Sequence, residues 1–229
     1  MVEAVRQLEL RAMYLPDLKR ILMDADLKDI KKRCAEAHEI GHSLIWWHSD
    51  YLLGDSDYEL NPSCHATIEA EANYAAGQLL FLKDRFVAEA MSSELSFKNV
   101  KRLQRSFKNT LTSTLWRYVE EYRGDDPLIG IVSGHPLRPG EDFDPASPCR
   151  YTIQSSLFRQ QFSGVTEEQL FAAISSYCWS HNKSGPLGEG EVRLVDDNGE
   201  SHLFHFESFK GHYVMTLGRY LRKASRKSA

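Results

Sequence analysis

The chain has 229 residues, 42% hydrophobic and 26% charged, with 28 Lys+Arg against 32 Asp+Glu and a net charge of −4. That composition excludes collagen-like, low-complexity and wholly disordered chains, and the slightly acidic balance gives no reason to expect direct nucleic-acid binding. At about 150 residues per domain, the length suits one large domain or two small ones.

The amino terminus mixes charged and apolar residues and lacks the apolar core of a secretion signal. Residues 27–47 carry apolar and small side chains at helical spacing without proline, which predicts a helix. Turn-forming residues crowd 49–65 and predict an exposed loop. A second helix is expected over 67–91. A third, over 97–122, carries an apolar stripe of Phe97, Val100, Leu103, Phe107, Leu111, Leu115 and Tyr118. Its other face, with Lys98, Lys101, Arg102, Arg105 and Lys108, reads as a solvated surface.

Gly124-Asp125-Asp126-Pro127 breaks that helix. Residues 128–133 and 150–154 then read as strands, joined by a rigid segment containing Pro136, Pro139, Pro145 and Pro148. Thr166 and Gln169 form a capping box opening a helix over 167–178. Asn198-Gly199 predicts a type I′ hairpin between strands at 191–195 and 202–206, and the basic tail after Tyr220 is expected to fray. Two domains follow, 1–126 and 127–229. No apolar run reaches the ~18 residues of a membrane span. The four cysteines, Cys34, Cys64, Cys149 and Cys178, form no C-x-x-C pair, so a cytoplasmic protein without disulfides is expected. Cys34 and Trp46 are expected to serve packing.

The chemistry concentrates in His38-Glu39-Ile40-Gly41-His42, an H-E-x-x-H sequence. On a helix, residues i and i+4 share a face, so both imidazoles can bind one Zn²⁺ at about 2.0–2.1 Å. Glu39 can reach a water on that metal and act as its base. A third ligand is needed. His48 has metzincin spacing, but Ile45 stands where that signature needs glycine, so a continuing helix would turn His48 away to serve as a helix-end or outer-shell histidine. Glu69, on the following helix, completes a His₂Glu set with a position open for water and is favoured. Asn73, one turn on, can hydrogen-bond a ligating histidine. Glu71 points away from Glu69 and reads as a surface residue. His202 and His205 fall on opposite strand faces and cannot share a metal without a bulge.

His38 to His42, followed by Glu69-Ala70-Glu71-Ala72-Asn73-Tyr74-Ala75-Ala76 and Leu79-Leu80, resembles the ImmA/IrrE family of bacterial zinc metallopeptidases. The likeness covers roughly 21–86, with a weaker echo in 111–120 and in Ser133-Gly134-His135-Pro136. It departs from the family in Leu82, where a proline usually follows the Leu pair, and in the short stretch before the first motif. The resemblance implies an α+β fold: a zincin-like helical metallopeptidase domain followed by a smaller mixed α/β unit. It also implies one Zn²⁺ per chain on His38, His42 and Glu69, Glu39 as base and Asn73 in support. Family members are intracellular, and some cleave a helix-turn-helix repressor. His65, Tyr74 and His135 are candidates for substrate or oxyanion contacts. The expected function is zinc-dependent cleavage of an intracellular protein. The alternative is a regulator that keeps the metal but works by binding a repressor or sensing a ligand.

Overall fold

Helical and strand periodicities occupy different stretches of the sequence, and the computed structural model realises them as an α+β fold of helices and antiparallel sheets. It describes residues 12–52, 62–122, 124–140 and 143–224. Two compact units emerge, Met1–Phe86 with Phe107–Asn109, and Val87–Ser106 with Thr110–Ala229. This division replaces the boundary expected at Asp126. Among the described residues no helix is long and apolar enough to cross a membrane.

In the first unit β1 (Ala12–Leu15) pairs antiparallel with β2 (Arg20–Met23) across a 3-10 turn, closed by Lys19 in a left-handed conformation at φ 49°. Four-residue strands around a proline carry no period-2 signature, so this hairpin has no sequence signal. The helix predicted over 27–47 is two helices, α1 (Asp29–Leu44) and α2 (Trp46–Leu52), with Ile45 extended between them at φ −97°, ψ 103°. Trp46 is 80% exposed rather than packed. Helix α2 takes up the start of the expected loop, and α3 (Pro62–Phe81) takes up its end. The intervening 53–61 lie outside the described residues.

The second predicted helix is also interrupted. Leu82 and Lys83, both at positive φ, separate α3 from α4 (Asp84–Met91). That reversal brings Phe86 onto Phe81, with ring centroids 4.8 Å apart, and Phe107 closes the group 5.2 Å from Phe86. The Arg33 guanidinium donates to the Phe107 carbonyl at 2.5 Å, and the Asn109 amide to the Leu80 carbonyl at 3.1 Å. These bonds explain why three residues from further along the chain belong to the first unit.

The third predicted helix divides into α5 (Phe97–Phe107) and α6 (Leu111–Glu120). Lys108 at φ 54° stops α5, and the Thr110 hydroxyl accepts from the Ser113 N–H at 3.1 Å to start α6. The second unit continues with β3 (Leu128–Ser133), β4 (Cys149–Gln154), α7 (Ser156–Gln161), α8 (Glu167–Tyr177), β5 (Gly185–Val195), β6 (Ser201–Lys210) and β7 (Val214–Lys223). Its strands form one antiparallel sheet in the order β4-β3-β7-β6-β5. Every residue of β3 is buried because both faces are covered. Gly130 lies against Val119 and Leu115 of α6, while Ile129 and Ile131 join Phe158, Phe162, Leu170 and Ile174. The apolar stripe of α6 is thus spent on the sheet, which is why the division falls well before Asp126.

The capping box at Thr166 and Gln169 is present. The turn at Asn198-Gly199 differs from the type I′ expectation, since among the described turn residues only Gly199 has positive φ, at 77°. Asp196 accounts for this: its side chain accepts from the Asn198 and Glu200 N–H groups at 3.0 and 2.7 Å and holds a longer turn. Strand β7 carries the chain past Tyr220 to Lys223 instead of fraying there, and 225–229 lie outside the described residues.

All four cysteines are free, and Cys149 and Cys178 are buried. Burial, with Glu167 and Glu168 nearby, pushes the Cys149 thiol up to about 12. Alkylation of native protein at pH 8 should therefore modify Cys34 and Cys64 well before Cys149 and Cys178, read by mass spectrometry; rapid labelling of Cys149 in folded protein would contradict this core.

Candidate metal centre

Helix α1 is built around one close approach. A Cβ on Gly41 would lie 2.7 Å from the Ala72 carbonyl oxygen, so the absence of a side chain lets α1 and α3 meet at backbone contact. That contact sets the residues on either side of it face to face. His38 and His42, one turn apart on α1, meet Glu69 of α3.

His38 Nε2 lies 3.1 Å from His42 Nε2 and 3.2 Å from Glu69 Oε2, and His42 Nε2 lies 3.6 Å from Glu69 Oε1. Ligands around a tetrahedral zinc at about 2.0–2.2 Å stand roughly 3.3–3.6 Å apart, and these contacts, the two to Glu69 made by different carboxylate oxygens, lie close to that spacing. A donor set of two imidazoles and a carboxylate suits a zinc ion. The residues present fit the metal.

Their surroundings prepare them for it. The His38 ring donates from Nδ1 to Asn73 Oδ1 at 3.0 Å, which leaves Nε2 with a free lone pair. His42 is 3% exposed. Burial, followed by the neighbouring His38, pushes its pKa down to about 4 against an opposing pull from Glu69, so it is the neutral imidazole a metal needs. Glu39 is 8% exposed, and its Oε2 accepts from the Tyr14 N–H of β1 at 2.7 Å. Burial raises its carboxyl above the usual range, opposed by that hydrogen bond and by His38, which makes it a stronger base than a surface glutamate.

Two residues stand elsewhere than expected. The extended Ile45 ends α1 and swings His48 back, so it does not face away: it is fully buried, with Nδ1 3.0 Å from His42 Nδ1. Glu71 is more than a surface residue, since its Oε2 lies 3.1 Å from His48 Nε2. The expectation of a continuous helix through Ile45 hid both. Of the candidate contact residues, His65 is exposed on α3 one turn before Glu69, close enough to His42 to depress its pKa. Tyr74 is 65% exposed on α3. His135 belongs to the second unit, buried after β3, where its Nδ1 accepts from the Leu137 N–H at 3.1 Å.

The described residues contain another His/carboxylate group, Asp196, Glu200 and His202. It is already committed: Asp196 caps its turn and pairs with His202 at 3.1 Å, and Glu200 pairs with Lys223. His205 pairs separately with Glu189 at 3.4 Å.

No family model matches the chain, and no curated protein matches it. Among solved structures it is similar to a Mycobacterium tuberculosis transcriptional regulator, at 15% identity and a TM-score of 0.51 over 92% of this chain and 71% of that one. At that identity the likeness is one of fold.

Proposed function

We propose that the protein is a zinc metallopeptidase of the ImmA/IrrE kind, with a zincin-like first unit, and that it acts in the cytoplasm on an intracellular protein. The observation that carries the reading is the convergence of His38 Nε2, His42 Nε2 and a Glu69 carboxylate oxygen, with Glu39 next in sequence to the first of them. Three protein donors leave one tetrahedral position open, whereas a structural site closes all four.

Bound zinc would polarise the scissile carbonyl and make water acidic enough to attack at neutral pH. The remaining work falls to the chain. His38, His42 and Glu69 hold the ion. Asn73 holds the His38 ring in one tautomer through the bond at Nδ1. Glu39, made more basic by burial, takes the proton of the attacking water and returns it to the leaving amine. The Tyr14 N–H keeps one Glu39 oxygen in place and leaves the other for this transfer. His65 and Tyr74, both exposed on α3, are our candidates for substrate or oxyanion contact.

A helix-turn-helix repressor is the substrate class we favour, and the fold shared with a protein named as a transcriptional regulator is in keeping with a regulatory role. That same name supports a second reading, a regulator that keeps the metal but works by binding. Glu39→Gln separates the two. The proteolytic reading expects wild-type zinc content and a fall in cleavage of about 10²-fold or more. Cleavage that survives Glu39→Gln would sink the role given to this residue, and zinc-loaded wild-type protein that cleaves no repressor but binds one would favour the second reading.

A further inference from the structure

We infer that the second unit holds an anion site at one end of its sheet, built by His135, Arg138 and Lys210, and that this site takes a small phosphorylated ligand. The inference is independent of the metal-site reading above.

Strand register assembles the site. Ser133, the last residue of β3, pairs with Val214, the first of β7, and Val214 pairs with Lys210, the last of β6. The chain leaving β3 therefore stands at the same sheet end as the β6–β7 hairpin, about two strand spacings, or ~10 Å, from Lys210. There it turns back on itself, the Arg138 N–H donating to the His135 carbonyl at 3.1 Å. With Arg150 near the start of β4 and Lys183 from the segment before β5, these residues line a cavity of about 670 Å³, a size that suits a small organic ligand.

The charge of this cavity is one-sided. Asp144 is the one carboxylate among its described lining residues, and its Oδ1 is engaged, accepting the Ala146 N–H at 2.9 Å. Arg138, Lys183 and Lys210 have no carboxylate partner among the described residues. The Lys210 ammonium donates to the His212 carbonyl, and burial lowers its pKa. The Arg150 guanidinium lies over the Tyr213 ring, 4.9 Å from its centroid.

His135 supplies the second observation. It is buried, and its Nδ1 accepts from the Leu137 N–H at 3.1 Å, so the neutral ring carries its proton on Nε2. Burial lowers its pKa, and Lys210, Arg138 and His181 lower it further, a sign of how closely these cations gather round it. The Asn182 backbone opposes that shift but stands outside hydrogen-bonding geometry, so the Nε2–H is a buried donor without an acceptor. An unmade bond of this kind is costly, and so is the mutual repulsion of cations in a concave site. A bound oxyanion relieves both. A carboxylate offers one charge and two coplanar oxygens, whereas a phosphate group offers about two charges and three oxygens, which matches donors arriving from separate strand ends. The cavity exceeds the size of a phosphate alone and leaves room for the group that carries it.

The test titrates the full chain by calorimetry, in low salt and without added zinc, with pyrophosphate and ADP as probes and citrate as a polycarboxylate control. Pyrophosphate should bind saturably, one per chain, ADP should compete with it, and the His135 Nε2–H resonance should move on binding. Arg138→Gln and Lys210→Met should each weaken binding roughly 10–100-fold. The Arg138 side chain is exposed, so its variant should keep the wild-type melting temperature. Lys101→Gln, on the basic face of α5, should bind as wild type does. Absence of saturable binding, an equal loss in Lys101→Gln, or an unmoved His135 resonance overturns the site. Citrate binding as tightly as pyrophosphate overturns phosphate as the ligand class.

Discussion

Gly41→Ala is expected to lower both stability and zinc affinity, although alanine is the better helix former by about 1 kcal/mol. The added Cβ would meet the Ala72 carbonyl oxygen at 2.7 Å, Cα at 3.2 Å and carbonyl carbon at 3.3 Å. These are backbone atoms of a helix in which Ala72 is fully buried, so no side-chain rotation relieves the clash. Overpacking of this sort costs about 1–3 kcal/mol, which outweighs the gain in helix propensity. The functional loss should exceed the structural one. Glu69 lies one turn before Ala72 on α3 and Asn73 directly follows it, so separating the helices draws both away from His38 and His42. Thermal unfolding of metal-free protein and zinc competition measure the two effects. Gly41→Ala with undiminished stability and zinc affinity would contradict this close approach.

The same site shows what sequence reasoning reaches and where it stops. His38 and His42 could be placed on one face because their relation is local: four residues on a helix fix it. The strand β3 was legible because burial on both faces leaves a continuous apolar run bounded by Gly and Pro. His48 was not, because its position depends on the backbone angles of one residue, Ile45, which carries none of the proline or glycine marks of a break. Misreading that residue hid Glu71 as well, since a carboxylate has no partner until the partner is placed. The bond from Tyr14 to Glu39 escaped for another reason: its donor is a backbone N–H, present at every residue but proline. Interruptions at Leu82, Lys83 and Lys108 were lost in the same way, because left-handed non-glycine residues are held by the contacts they permit, as Phe86 and Phe107 are, and not by local preference.

Glu69→Ala should abolish stoichiometric zinc binding, because it reduces a three-donor site to two imidazoles. Its side chain is 40% exposed and its polar contacts are with His38 and His42, so the metal-free protein should melt close to the wild-type temperature. The difference appears only when zinc is added. A ligand at 100 times its Kd stabilises the folded state by about 2.7 kcal/mol, a rise of several degrees in melting temperature, and the variant should show none of it. Glu71→Ala provides the contrast. It acts on His42 through His48 and not on the ion, so it should still reach one zinc per chain at higher zinc concentration, with the full thermal shift recovered there. Equal loss of stoichiometry in the two variants would make Glu71 a ligand and displace Glu69 from that role. Retained binding in Glu69→Ala would require the third donor to come from elsewhere, and His65, one turn away on the same face of α3, is the histidine placed to supply it.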